Sequence, residues 1–504
     1  MAHINHKLSA LLLSFPIFIW GMNATGLTMA ADDVIARAMK LYEQHHYAEA
    51  TQILRQDILK MSAAQQTSAD LVLGMSYLSS AILYRELYQT ALIIELDYLT
   101  QLSKQHTGKA SNLVDLYLGQ ALLESGKPVD ATKHFQKFAE KMEDQSTLKH
   151  ASNIELGIAY SQLKRSKEAT LAWSGFDTKV PQTKAALAGA YALLKLQKHK
   201  PVAMAEAATA EKQNLNSTLD VRMIRNLLRA YSHSGATEKA LLLLESSELK
   251  HASFVENLSA SKSIRYYDTS LLHDIAETHL AASIMYLELA SHDAKLKNTA
   301  SYFLVDAYLQ QGNAEASLRL AGNILTQEQL PPKYRVITQV RKASAHDLAG
   351  QGAEAMTQWR TIAEKATDDP GLLAVVMLAC IQAKVDCTKL EKQALSVAEK
   401  GEGKKYFSLN AALGKYYVLL KDFPKAELYM EAGRDKANKN KIEINDPAML
   451  VNLAEAYYRN KKFSETLEIY FELSKQYPVV RQIQEAMQGI YAMEHQSAGE
   501  VKIY

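Results

Sequence analysis

The chain has 504 residues, 48% of them hydrophobic and 22% charged. It is too apolar for a disordered chain and long enough for several globular domains or one extended array. Its formal net charge is +2, and no dense Lys/Arg run with interleaved aromatics occurs, so the footprint of a nucleic-acid binder is missing.

At the N-terminus Lys7 precedes an apolar run from Leu8 to Trp20 and then small residues. This is the layout of a secretory signal peptide, and the run is short for a transmembrane helix. Thr28-Met29-Ala30 offers a small-x-Ala cleavage site before Ala31, with Ala24-Thr25-Gly26 as an alternative. The expectation is a signal peptide over 1–30 and a periplasmic or secreted product. The two cysteines, Cys380 and Cys387, lie far from this segment, so no cysteine is placed to carry a bacterial lipid anchor.

Downstream, small and large residues recur in a fixed order. In 116–138 they are Leu118-Gly119, Leu122, Gly126, Ala131, Phe135 and Phe138, followed by Leu156-Gly157, Tyr160, Ala169, Trp173 and Phe176. Near the end, 409–433 carries Leu413-Gly414, Tyr417, Phe423, Ala426 and Met430, and 452–478 carries Ala454, Tyr457, Phe463, Thr466, Tyr470 and Leu473. Steps of three and four residues mark one face of a helix. Each segment reads as two helices around a polar turn, small where they cross and large around the crossing. Weaker copies surround Ala38/Ala50, Tyr231/Ala240, Tyr308/Ala316 and Ala345/Ala355. Pro128, Pro201 and Pro424 fall at turns inside hairpins, and Pro181, Pro331, Pro332, Pro370, Pro447 and Pro478 between hairpins, where a residue that cannot continue a helix belongs.

This order resembles the tetratricopeptide repeat (TPR), as found in exported bacterial-type members. The resemblance implies an all-α, right-handed superhelical array of antiparallel helical hairpins, a TPR-like α-solenoid, over 31–478. A break or divergent repeat is expected at 246–268, and a C-terminal capping helix with a short tail at 479–504. Copies are spaced somewhat wider than the family's period of about 34 residues, giving roughly ten to twelve hairpins. Alignment is poor near Tyr191, in 253–290 and in 371–396.

Aligning the hairpin around Tyr231 with the family places Arg222, Arg225 and Arg229 on its first helix, along the face that lines the groove, with His233 one turn on. Like charges stacked this way repel unless an anion lies opposite, and guanidinium forks suit carboxylate or phosphate. Two readings stand: a ligand-binding groove for a protein or peptide partner with acidic character, and a solvated face paired with neighbouring glutamates.

Cys380 and Cys387 would be about 10 Å apart on one continuous helix, beyond disulfide reach. Val385-Asp386 reads as a turn, so either a bridge across it or two packed thiols is expected. No catalytic, metal or cofactor constellation emerges. His45-His46 sit at a turn, and His273 and His279 are six apart, off one face. Gly350-Gln351-Gly352 and Gly401-Glu402-Gly403 lack the strand-to-helix setting of a phosphate loop. Trp173 and Trp359 occupy buried aromatic positions of their hairpins, while Trp20 lies in the signal. The expectation is therefore a non-enzymatic protein–protein interaction scaffold outside the cytoplasm, which the resemblance associates with envelope assembly or polysaccharide secretion. The alternative is a glycan- or peptide-capturing protein on the same repeats.

Overall fold

The computed structural model describes residues 33–105, 109–142, 147–174, 181–193, 200–213, 221–245, 255–257, 265–267, 269–328, 330–364, 369–383, 385–400, 404–439 and 447–477. The expected signal peptide and the expected C-terminal cap at 479–504 lie outside them.

Twenty-two α-helices make up the described chain. Twenty form ten hairpins: α1 Asp33–Glu43 with α2 Tyr47–Asp57, α4 Lys109–Glu124 with α5 Pro128–Lys141, α6 Thr147–Gln162 with α7 Ser166–Ala172, α8 Pro181–Leu193 with α9 Lys200–Gln213, and α10 Val221–Ser234 with α11 Thr237–Glu245. The remaining five are α13 Lys297–Gln311 with α14 Ala314–Leu325, α15 Pro332–Leu348 with α16 Gly352–Ala363, α17 Pro370–Ala383 with α18 Thr388–Lys400, α19 Lys404–Leu419 with α20 Phe423–Lys439, and α21 Pro447–Arg459 with α22 Phe463–Gln476. Two long helices stand outside this scheme, α3 Ala63–Gln105 and α12 Ser270–Ala290. The expected break at 246–268 contains two short antiparallel strands, β1 Val255–Asn257 and β2 Arg265–Tyr267, with Val255 opposite Tyr267. The fold is all-α apart from this insert, and it is an array of TPR-like helical hairpins.

Eight hairpin turns are built alike. One residue takes a left-handed backbone: Gly126, Gly235, Gly312 and Gly350, and also His45, Lys164, Lys421 and Lys461. The next N–H reaches back five residues, as from Lys127 to Leu122 (2.9 Å), Arg165 to Tyr160 (2.9 Å), Asn313 to Tyr308 (2.8 Å) and Lys462 to Tyr457 (2.9 Å). That closure satisfies a carbonyl that the helix end would otherwise orphan.

Within hairpins the glycines mark close crossings. A Cβ on Gly119 would come 2.7 Å from the Phe135 ring, one on Gly157 would fall inside the Trp173 indole, and one on Gly414 would lie 3.0 Å from the Ala426 carbonyl and inside Met430. Successive elements are then pinned through a first-helix tyrosine. Tyr457 donates to Glu431 (2.6 Å), Tyr417 to Glu391 (2.6 Å) and Tyr308 to Glu288, while Gln136 donates to Tyr160 (2.7 Å). Burial and the acceptor carboxylate raise the Tyr457 hydroxyl above its ordinary range, so it stays a donor.

The chain divides into two compact units. Unit 1 comprises residues 1–86 and 282–469, and unit 2 comprises 87–281 and 470–504. The boundaries fall inside α3, after Glu86, inside α12, after Ala281, and inside α22, after Ile469. In unit 1, Gly74 of α3 faces Leu287 of α12, and Tyr77 stacks on Tyr286 with centroids 5.9 Å apart. In unit 2, Thr269 donates to Glu95 of α3, and His273 of α12 meets Tyr88 edge-on at 5.1 Å.

Candidate functional site

The first helices of four successive hairpins in unit 2 present one common face. Their side chains enclose a cleft of about 50 Å3, lined by Leu116 and Gln120 of α4, Ile154, Glu155 and Ile158 of α6, Ala186 and Ala190 of α8, and Arg225, Asn226 and Arg229 of α10. The register repeats. Leu116, Ile154 and Ala186 precede Gly119, Gly157 and Gly189 by three residues, and Gln120, Ile158 and Ala190 follow the same glycines by one. A residue pair four apart faces one side of a helix, so the contact glycine and the cleft pair are set by the same turn geometry. Leu116, Ile154, Ile158 and the alanines supply apolar patches, but Gln120, Glu155, Asn226 and the two arginines make the exposed wall more polar than apolar.

Two of the four residues singled out in α10 line this cleft. Arg225 donates through Nε to one oxygen of Asp274 (3.0 Å), and Arg229 donates through Nε to the other (2.6 Å). Arg229 also lies 3.6 Å from Glu124. Asp274 belongs to α12, which packs on α10 through the Ser232–Thr278 hydroxyl pair (2.8 Å). All three charged residues are buried, Asp274 to 2% exposure. Burial alone would raise the Asp274 carboxyl, but Arg229 and Arg225 outweigh it and hold it below the usual carboxylate range. The anion that the stripe demands is thus supplied by the chain itself. Arg222 shares the helix, but its side chain lies outside the described residues, and His233 is not part of the cleft lining.

Sequence reasoning missed Asp274 as the partner, along with Gln120, Glu155, Asn226 and the α8 alanines. The signal for the cleft pairs was present as the offset of minus three and plus one from each glycine. Ala188-Gly189 carries it too, although Gly189 serves a different contact: a Cβ there would lie 2.9 Å from the Asn226 side chain of α10.

Unit 1 fills the equivalent face. There Lys415, one residue after Gly414, pairs with Glu86 of α3 (2.7 Å) with both side chains 7% exposed. Arg85 of α3 donates to the Gln310 carbonyl of α13 (2.7 Å). On neighbouring first helices Arg341 of α15 binds Asp306 of α13 and lies 3.9 Å over the Tyr302 ring, all buried. The end of this α3 segment is thus tied to α19 by Glu86 and to α13 by Arg85.

The remaining singled-out groups sit as follows. His45 and His46 flank the α1–α2 turn, bonded to Tyr47 (2.7 Å) and Glu49 (2.9 Å). His273 and His279 both lie on α12, with His273 3.8 Å from Glu277. Among the described residues no group of three His, Cys, Asp or Glu side chains is arranged to hold a metal ion. Trp359 is buried and donates to Asp347 (2.7 Å), and Trp173 donates to the Ile154 carbonyl (3.1 Å). Cys380 and Cys387 are disulfide-bonded, with Cα atoms 5.8 Å apart. No described helix is long and apolar enough to cross a membrane.

No family model matches the chain, and no curated protein matches it. Among solved structures it is similar to the Cut9–Hcn1 hetero-tetramer of the APC/C at 12% identity over 92% of this chain and 97% of that one, with a TM-score of 0.27. It is likewise similar to yeast Tom70 at 12% identity over 92% and 95%, with a TM-score of 0.31. Superposition at that level carries no argument, and the hairpin array stands on this chain's own turns, crossings and staples.

Proposed function

We propose that this protein is a binding scaffold whose work is to hold a partner protein, without chemistry, against the face shared by α4, α6, α8 and α10, the small cleft there taking one side chain of the partner. One observation carries the reading: four consecutive first helices direct register-equivalent side chains into one cleft, polar at Gln120, Glu155, Asn226 and the two arginines and apolar at Leu116, Ile154, Ile158 and the alanines. A wall that mixes amide and charged groups with apolar patches suits a polypeptide surface, whose backbone needs donors and acceptors and whose side chains need apolar contact. Because Asp274 compensates Arg225 and Arg229, the cleft does not demand a strongly acidic ligand. The same face of unit 1, where Lys415 is already paired with Glu86 of α3, is assigned no partner.

The proposed setting is outside the cytoplasm, after removal of residues 1–30, in envelope assembly or polysaccharide secretion. It is motivated by the Lys7 start, the apolar run to Trp20 and the family resemblance. The mass of the mature chain tests export: an N-terminus near Ala31 supports it, and an intact Met1 overturns it.

Binding is tested with the full chain and an Ala186→Phe variant, which fills the cleft from a partly exposed position, beside an outer-surface control, Lys133→Ala. Affinity capture from envelope fractions is compared by mass spectrometry after all three proteins show matching melts. A partner held by the parent and the control but lost with Ala186→Phe supports the cleft. Equal recovery with all three overturns it.

A further inference from the structure

Cys380 lies in the last turn of α17 and Cys387 immediately precedes α18, so the pair spans one hairpin turn. Their Cα separation of 5.8 Å is an ordinary disulfide span. The turn makes this possible, because seven residues of unbroken helix would rise about 10 Å. The two sulfurs differ in access: Cys380 is buried and Cys387 is partly exposed, beside exposed Val385 and Asp386.

The hairpin they close holds its second helix weakly. In several other hairpins the second helix buries bulk, as with Phe135 and Phe138 in α5, Trp359 and Ile362 in α16, Met430 in α20, and Ile469 and Tyr470 in α22, whereas the short α7 fully buries only Ala169, with the partly buried Trp173 just past its end. Among the described residues of α18 only Ala394 and Ala398 are fully buried, with Leu390, Leu395 and Val397 partly so. Helix α9 also buries alanines alone, Ala203, Ala207 and Ala210, but it packs on an α8 that is itself small at Ala185, Ala188 and Ala192. Small against small lets backbones approach. Helix α17 places Leu373, Ala374 and Met377 in one cluster with Ala394 and Ala398, and two alanines contribute little apolar area of their own to that cluster, where stabilisation follows the area removed from water.

We propose that the Cys380–Cys387 bond is a conditional fastener: it holds α18 on the array when oxidised, and α18 opens locally when it is reduced. The bond forms by exchange with a low-molecular-weight disulfide. The Cys387 thiolate, the more accessible of the two, gives its proton to solvent, attacks one sulfur and expels the first small thiolate. The Cys380 thiolate, its proton also passed to solvent, then attacks the Cys387 sulfur and expels the second. Two protein thiols are oxidised, and one external disulfide is reduced to two thiols. The consequence is local but not trivial, because Leu390 packs both on the cluster of Val336, Trp359 and Val376 and on that of Leu373, Leu409 and Tyr417. Opening α18 therefore uncovers apolar edges on both of its neighbours.

The test is hydrogen–deuterium exchange by mass spectrometry on the full chain in glutathione buffers from oxidised to reduced, with thiol labelling in parallel. Peptides from 388–400 should exchange at least about tenfold faster once labelling finds both thiols, as a local opening does, while peptides from 423–439 keep their protection. A Cys387→Ser variant should give the reduced pattern in every buffer. The proposal is overturned if no bond forms in oxidised glutathione, or if 388–400 is equally protected in both states. Loss of protection across the whole chain on reduction overturns it as well, since the bond would then hold far more than α18. The parent's titration decides the matter by itself if the serine variant fails to fold.

Discussion

Asp274 holds Arg225 and Arg229 with one oxygen each, and this changes what the arginines are for. Read from sequence as groove-facing charges, they should leave stability almost untouched when replaced. Buried around a shared carboxylate, they should not. Asp274→Asn removes the carboxylate that both guanidiniums share and leaves Arg229 its longer contact with Glu124, and breaking a buried pair in this way costs about 3–5 kcal/mol. Denaturant melts check the value, and a loss no larger than that of an exposed control would return the arginines to a ligand-facing role. The carboxyl is depressed in the folded state, so its contribution is present above the unfolded value of about 3.9 and is lost as pH falls through the lower folded value. His279 governs a different window. Desolvation on α12 pushes its imidazole down to about 4, against about 6.5 when unfolded. The unfolded chain therefore takes up the proton first on acidification, and stability declines from about pH 6.5 to 4. The slope is at most about 1.4 kcal/mol per pH unit, less here because the ring keeps some solvent contact. Melts at pH 7 and pH 5 should differ more for the parent than for His279→Gln, and equal differences would show that the ring titrates normally.

At the scale of the element, most of the hairpins were legible because contact and face are written in one pattern. The Leu-Gly pair followed by Tyr marks where the second helix crosses and which side faces the neighbour, and the structure seats Gly119, Gly157 and Gly414 against Phe135, Trp173 and Met430. Gly414→Leu must displace both Met430 and the backbone at Ala426, an overpacking that costs about 1–3 kcal/mol. Exchange should rise first in α19, α20 and α21, since hairpins in an array stabilise their neighbours. An unchanged melting temperature would mean the crossing is not close. Two features escaped the pattern for physical reasons. Lys164, Lys421 and Lys461 take left-handed turns, a conformation that glycine announces and lysine does not. Helix α3 runs unbroken from Ala63 to Gln105 with apolar residues around much of its circumference, so no single face stands out. Its companion α12 lies nearly 200 residues away, where spacing along the chain carries no signal. Asp274 lies 49 and 45 residues beyond Arg225 and Arg229, also too far for spacing along the chain to announce the pairing.

For the molecule as a whole, the decisive contrast is between two faces of the same construction. In unit 2 the first-helix face keeps a cleft, whereas in unit 1 Asp306, Arg341 and Lys415 are buried, the first two paired with each other and Lys415 with Glu86 of the chain's own α3. A repeat pattern predicts such a face in every copy, but whether a face is open depends on what a distant segment does with it, and that is settled by packing. The Glu86–Lys415 pair shows how α3 is seated in unit 1. Burying two charges for one ion pair gains little over apolar packing, yet it penalises any register that separates them. Glu86→Leu alone or Lys415→Met alone leaves a buried charge behind, and each should cost about 3–5 kcal/mol. The double variant leaves none and keeps the volume, so it should recover most of the loss, a large coupling that two side chains in direct contact are expected to show. Denaturant melts of the parent, both single variants and the double variant give the cycle. If the double variant loses as much as the two singles combined, Glu86 and Lys415 act independently, and α3 is seated by its apolar contacts alone.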